Sequence, residues 1–310
     1  MNLNYSNKSL NQKLGMVAIV FANVCWGLMA PFLKTLLNTN EVSPWALTGI
    51  RITMGAALLW MIGAFAPESW GTRQKIEKRD FPFIFLASMF VIALNQSLVV
   101  MGMKNTNPIE ATVILSVTPI FTVVFSFLFL RQTMRWSRVA GVALGFVGIT
   151  LMTLTETSAT DVDAPNRLLG DSMCLLSQVF GATYLVFFTR IIMKYSALTL
   201  MKWMFTMAAC VILPLTIGDI TDIYWSQLGL ESWIDLGYIV FIGTCLCYLL
   251  LPFAQRQASA TTIAMCNYLQ PIVGSISSIV VGLATMSFQL FFYSLLIFVG
   301  IWLVSKEYRK

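Results

Sequence analysis

Long apolar runs alternate with short polar ones from one end of the chain to the other. The runs at about 15–37, 44–66, 81–103, 109–130, 137–154, 169–191, 197–218, 232–254, 261–283 and 287–305 each predict a helix. Most approach the roughly 20 residues that cross a bilayer, and several sit at the short end of that range. A helix in lipid satisfies its own backbone polar groups, so apolar length converts to helix there. The links 104–108 and 255–260 are the tightest. They make the third and fourth helices antiparallel neighbours, and the eighth and ninth likewise. Residues 155–168 read as a polar linker, 1–14 as a polar tail with Lys8 and Lys13, and 306–310 as a second tail. The run after residue 14 is too long for the apolar core of a signal peptide and lacks a small-x-small cleavage site. It is expected to be retained as the first helix.

The second half repeats the first. At an offset of 152 residues Lys104 falls on Arg256, Pro119 on Pro271, and Thr133-Met134 on Thr285-Met286. Phe146-Val147-Gly148-Ile149 falls on Phe298-Val299-Gly300-Ile301. One residue out of that register, Ala46-Leu47-Thr48 and Arg51 match Ala197-Leu198-Thr199 and Lys202. A period this long is a duplicated half-protein and not a solenoid. The first five-helix repeat is 15–154 and the second 169–305.

Loop charges orient the predicted helices. One set of ends holds Lys8, Lys13, Arg73, Lys75, Lys78, Arg79, Arg131, Arg135, Arg138, Arg190, Lys194, Arg256, Lys306, Arg309 and Lys310; the other holds only Lys34, Lys104 and Arg167. By the positive-inside rule the first set, and with it both termini, is cytoplasmic. Five crossings per repeat then make the second half enter from the opposite face. The expected fold is an all-α polytopic membrane protein, ten transmembrane helices in two inverted five-helix repeats. Inverted repeats recur in secondary transporters, where one site between two halves opens alternately to either side.

Composition agrees: 57% of residues are hydrophobic and 11% charged, against roughly 25% charged in a soluble domain. The net charge of +6 does not imply nucleic acid, because the basic residues lie in short loops between apolar runs. Histidine is absent and the six cysteines all lie in apolar runs. No metal site, no cofactor and no enzyme activity is expected. A Gly-x4-Gly-Lys phosphate loop is also missing, so ATP hydrolysis is not expected.

Polar side chains at membrane depth mark pathways or hydrogen bonds between helices. The third helix carries Asn95 and Gln96 where the eighth, in the same register of the repeat, carries Cys247 and Tyr248. The ninth carries Asn267, Gln270, Gly274 and Ser277 on one stripe and Tyr268, Pro271 and Ser275 on the next. Pro119 and Pro271 each remove a backbone donor, which kinks a helix and can free a carbonyl for substrate. The first helix carries Asn23 and Trp26; the sixth carries Gln178, Gly181, Tyr184 and Phe188 within one arc. The rings of Trp26 and Tyr184 suit amphipathic metabolites or a cation. Substrate-binding candidates are therefore Asn23, Trp26, Asn95, Gln96, Gln178, Tyr184, Tyr248, Asn267, Tyr268 and Gln270. Arg51 and Lys202 either snorkel to opposite interfaces or hold an anion or a gate. Glu110 opens the fourth helix and could pair with Arg51. Gly141, Gly145 and Gly148 either pack the fifth helix within one chain or form the seam of a homodimer.

These features resemble the EamA family of the drug/metabolite transporter superfamily. Cys25-Trp26-Gly27 is similar to its small-Trp-Gly signature, and Pro44 with Ala46-x4-Arg51 to its Pro…Leu-Arg-Phe stretch. The best match is 104–153, with Thr118-Pro119, Phe129-Leu130, a basic turn and the glycines of the fifth helix. Two departures stand out. Gln132 and Ala284 occupy places where the family often has an acid, and Phe180-Gly181-Ala182 stands where the first half has Cys25-Trp26-Gly27. The resemblance implies a ten-helix transporter with a central cavity, exporting amino acids or related small metabolites across a bacterial plasma membrane. The partners expected are a small-molecule substrate and the lipid bilayer. The competing reading is a non-transporting membrane sensor or scaffold, and the loops are too short to offer such a protein much partner surface.

Overall fold

The computed structural model of the chain describes residues 2–38, 41–68, 71, 74–105, 114–115, 117–131, 136–155, 167–280 and 288–306. Among the described residues the regular structure is helical and no strand occurs. The first half contains α1 (Asn2–Asn38), α2 (Pro44–Phe65), α3 (Phe81–Ser88), α4 (Asn95–Asn105), α5 (Thr118–Leu130) and α6 (Trp136–Thr155). The second contains α7 (Arg167–Phe187), α8 (Thr189–Lys194), α9 (Ala197–Thr221), α10 (Leu230–Gly237), α11 (Cys247–Gln255), α12 (Ala260–Cys266), α13 (Leu269–Val280) and α14 (Phe288–Lys306). Among the described residues five stretches are long and apolar enough to cross a membrane: Gln12–Met29, Pro44–Phe65, Lys78–Gly102, Ala197–Thr221 and Leu230–Gln255.

Local chemistry fixes the helix starts. Ser43, Ser196 and Ser259 cap α2, α9 and α12 by accepting from the amides of Ala46 (3.0 Å), Thr199 (3.2 Å) and Thr262 (3.2 Å). Pro44 follows Ser43 at the one helical position where a missing amide costs nothing. The expected polar tail 1–14 differs: its backbone is helical from Asn2, since no proline or glycine precedes Gly15 to stop the helix.

Two wide turns interrupt long helices in matching places. α3 continues into α4 through a π-helical stretch, Met89–Leu94, and α10 into α11 through another, Tyr238–Leu246. Their ends, Leu94 and Leu246, are repeat mates. Such turns displace backbone carbonyls from the regular ladder and leave them for other donors.

The packing has the pattern of a twofold exchange of halves. α2 lies along α9 and α6 along α14, each helix against its own repeat mate. α4 packs on α7 as α11 packs on α1, and α5 on α7 as α13 on α1. The mated helices run antiparallel. Trp60 Nε1 donates to Thr206 Oγ1 at 2.9 Å, and Gly55 abuts Phe205 while Gly49, earlier in α2, abuts Thr216, later in α9. The α6–α14 crossing is backbone-close: a Cβ on Gly300 would lie 2.6 Å from the Gly141 carbonyl oxygen and 3.0 Å from the Gly145 nitrogen. The small residues of the fifth predicted helix are thus used within the chain.

Candidate functional site

Gln96 and Tyr248 are repeat mates, and the Gln96 amide donates to the Tyr248 hydroxyl. Two equivalent residues touch only where the twofold axis passes, so this pair marks the axis. Polar contacts are arrayed on both sides of it in matching order. The Asn95 amide donates to the Ser177 carbonyl at 2.6 Å; its mate, the Cys247 thiol, reaches the Ala22 carbonyl at 3.6 Å. Gln270 Nε2 donates to Asn23 Oδ1 at 2.8 Å, tying α13 to α1. On the other side the Thr118 hydroxyl donates to Gln178 Oε1, tying α5 to α7. Asn23 and Gln178 are buried and also bonded locally, to the Ile19 carbonyl (2.8 Å) and the Ser177 hydroxyl (2.7 Å).

The aromatic residues break this symmetry. Trp26 Nε1 donates to the Gly243 carbonyl in the second π-helical stretch at 2.7 Å, and its ring meets Tyr248 edge-on at 5.6 Å. Phe205 meets the other side of Tyr248 at 5.3 Å. The place corresponding to Trp26 in α7 is Gly181, where a Cβ would find, among the described residues, only Asn95 Nδ2 within 4 Å, at 3.3 Å. An indole thus stands on one side of the axis and a glycine on the other. Trp26, Asn95, Gln96, Asn267 and Gln270 all keep accessible surface. Amide surface is costly against lipid, so at mid-helix it faces either water or a neighbouring helix.

Arg51 does not reach an interface. It is 5% exposed, and its Nε donates to Thr244 Oγ1 at 3.0 Å. Thr244 in turn donates to the Ile239 carbonyl, within the π-helical stretch, at 2.9 Å. No carboxylate pairs with Arg51 among the described residues; the expected partner Glu110 lies outside them. Lys202 is also buried and stands 4.4 Å over the Trp60 ring.

Several expected site residues belong elsewhere. Tyr268 is fully buried between α6 and α14, its ring on Gly145 and its hydroxyl 3.4 Å from the Val142 carbonyl. It packs the outer pair of helices and leaves the axis to its neighbours. Tyr184 is likewise closed in, with its hydroxyl on Gln255 Oε1 at 3.3 Å and its ring stacked on Phe188. Pro271 does break its helix, between α12 and α13, but the freed Asn267 carbonyl is taken by the Gln270 amide at 3.1 Å. The helix tightens by one bond and offers no spare acceptor there. Pro119 starts α5, and the Thr118 hydroxyl lies 3.3 Å from the Leu115 carbonyl that the proline leaves without a donor. Thr118, Thr244 and Gly243 complete the site. Threonine among apolar residues was a visible signal, whereas the π-helical turns carry no sequence pattern.

At the lysine- and arginine-rich end a charged seam joins the halves. Lys194 Nζ lies 2.5 Å from Asp80 Oδ2 and 2.6 Å from Glu77 Oε1, and the Tyr195 hydroxyl donates to Asp80 at 2.6 Å. The hydrogen bonds from Lys194 and Arg79 hold the Glu77 carboxyl below the usual glutamate range. Asp80, then Glu77, push the Lys194 ammonium above the usual lysine range. At the opposite end Ser232 donates to Glu41 Oε2 at 2.6 Å and Ser43 to Asp219 Oδ1 at 3.2 Å.

Comparison with known proteins gives these contacts a family. A fold of the same shape is known from a crystal structure that superposes with a TM-score of 0.77, covering 95% of this chain and 97% of that one at 16% identity. The S-adenosylmethionine/S-adenosylhomocysteine transporter of Chlamydia muridarum is 24% identical over 271 residues, 84% of this chain and 81% of that protein. The uncharacterized transporter YyaM of Bacillus subtilis is 22% identical over 247 residues, 80% of each chain. A probable terminal-alkyne amino-acid exporter of Streptantibioticus cattleyicolor is 27% identical over 131 residues, 42% of each. The profile of the EamA-like transporter family matches twice, over residues 13–154 and 168–306. The chain is a multi-pass membrane protein and belongs to the EamA-like transporter family.

Proposed function

We propose that the chain is a secondary transporter exporting amino acids or related small metabolites by alternating access. In this reading ten helices cross a bacterial plasma membrane, with 15–154 and 169–305 as inverted halves and both termini cytoplasmic. The observation that carries it is the Gln96–Tyr248 contact on the twofold axis. A site on the axis stays fixed while the two halves rock about it. Trp26, Asn95, Gln96 and Gln270 supply polar and aromatic surface there. Arg51 supplies a cation within reach of the same π-helical stretch that Trp26 contacts.

Two relatives are named for transport of amino acids or amino-acid derivatives. A guanidinium suits the carboxylate of such a compound, and the Trp26 and Tyr248 rings suit its cationic end. Export by exchange or down a gradient fits a site without histidine. The test is flux in proteoliposomes, with labelled amino acids and S-adenosylmethionine under gradients of both signs. Wild type is expected to move at least one compound, and W26A and Q96A to move it more slowly while folded. No flux of any compound in either direction refutes the proposal and favours a sensor or scaffold.

A further inference from the structure

A groove of ≈ 340 Å³ opens at the basic end. Its walls are Trp60, Phe81 and Trp203, and its cations are Lys75 and Lys202. Trp203 meets Trp60 edge-on at 5.5 Å and Phe81 at 5.2 Å, so the three rings form one continuous apolar surface. Lys202 Nζ rests on the Trp60 face, and Lys75 is exposed at the mouth. None of the described lining residues is acidic. The nearest carboxylates in the sequence after Lys75, Glu77 and Asp80, are taken by Arg79 and Lys194.

We infer that this groove binds the headgroup of an anionic phospholipid. Two ammonium groups against an aromatic wall complement one phosphate diester. The wall also opens sideways: Trp60 is 42% exposed, and the helices continue into Met61 (57%) and Phe85 (43%). That flank suits acyl chains, which a free phosphate ion lacks. The level is right as well, because tryptophan beside lysine at the positive end of a bundle matches the inner headgroup layer.

The groove spans the seam between the halves. Trp60, Lys75 and Phe81 come from the first repeat; Lys202 and Trp203 come from the second. Beside it the Gln74 amide donates to the Lys194 carbonyl (3.1 Å) and accepts from the Ser196 amide (2.7 Å), while Thr199 donates to the Gly71 carbonyl at 2.7 Å. A bound lipid therefore clasps the seam and stabilises this arrangement of the halves, whatever compound is transported.

The test uses the full chain in nanodiscs of phosphatidylcholine alone or with phosphatidylglycerol, followed by thermal unfolding and by native mass spectrometry on release. Phosphatidylglycerol is expected to raise the unfolding temperature by about 3 °C or more, since a ligand of the native state stabilises it. One molecule is expected to stay bound, and K75Q/K202Q to lose both effects. K75Q alone, at an exposed lysine, serves if the double variant does not fold, and is expected to weaken them. Equal shifts with both lipids, or an undiminished shift in the variants, overturn the inference. A full shift from inorganic phosphate overturns it too, since a free-anion site would explain everything.

Discussion

Gly181 separates a transport cavity from a packed core. It holds in α7 the place that Trp26 holds in α1, and among the described residues only Asn95 Nδ2 would approach a Cβ there, at 3.3 Å. Alanine in a helix interior is favoured over glycine by about 0.5–1 kcal/mol. The Asn95 amide needs to yield only a few tenths of an ångström, so G181A is expected to match or slightly exceed wild-type stability. G181L carries the branch further into the space. If that space is a cavity, the variant stays within about 1 kcal/mol of wild type; if it is packed core, overpacking costs roughly 1–3 kcal/mol. Transport is expected to respond the other way round. A leucine opposite Trp26 narrows the site and lowers kcat/KM by about tenfold or more, equivalent to at least ~1.4 kcal/mol of lost binding. Unfolding temperature in detergent and flux in proteoliposomes measure the two quantities on the same preparation. A folded G181L that transports with wild-type kinetics refutes the assignment of this space to substrate.

Other predictions follow from individual contacts. Y248F removes the acceptor for Gln96 but keeps the ring against Trp26 and Phe205; a water-accessible Gln96 then finds solvent, and stability falls by no more than ~1.5 kcal/mol, while KM changes. A larger loss of stability without a change in KM would make the pair purely structural. G300A drives a Cβ into backbone atoms of α6 that cannot move aside, and loses on the order of 1–3 kcal/mol by thermal unfolding; a stabilised G300A contradicts the close crossing. At the charged seam, Glu77 has a depressed pKa, so its contribution is present above the ordinary glutamate range and fades as pH falls through the depressed value. The raised pKa of Lys194 places its loss at the alkaline end, as pH rises through the raised value. The pH profile of unfolding for E77Q is expected to show a shallower acid limb than wild type, with Asp80 keeping its pair with Lys194; superimposable profiles would remove Glu77 from the seam.

The sequence carried the architecture further than the site. Apolar run lengths and the 152-residue repeat are local or periodic signals, and among the described residues those runs are mainly helical. Asn23, Trp26, Gln96, Tyr248 and Gln270 were also legible, because a polar group in an apolar run needs a partner. What each partner is depends on packing. Nothing in the apolar stretch around Tyr268 says that it turns toward Gly145, and nothing around Arg51 says that a threonine on a π-helical turn will receive it. The Asn267 carbonyl shows the same limit: the proline is visible, but the tightened turn that uses the carbonyl is a backbone response.

The central claim is that the Gln96–Tyr248 axis lines a path open to each side of the membrane in turn. It is tested by placing a single cysteine at position 96 in an otherwise cysteine-free chain and labelling it with membrane-impermeant thiol reagents from either side of sealed, oriented vesicles. The account predicts modification from both sides, slowed by a transported compound. A residue 96 that stays unlabelled from both sides, while an exposed cysteine at position 75 reacts, would contradict it.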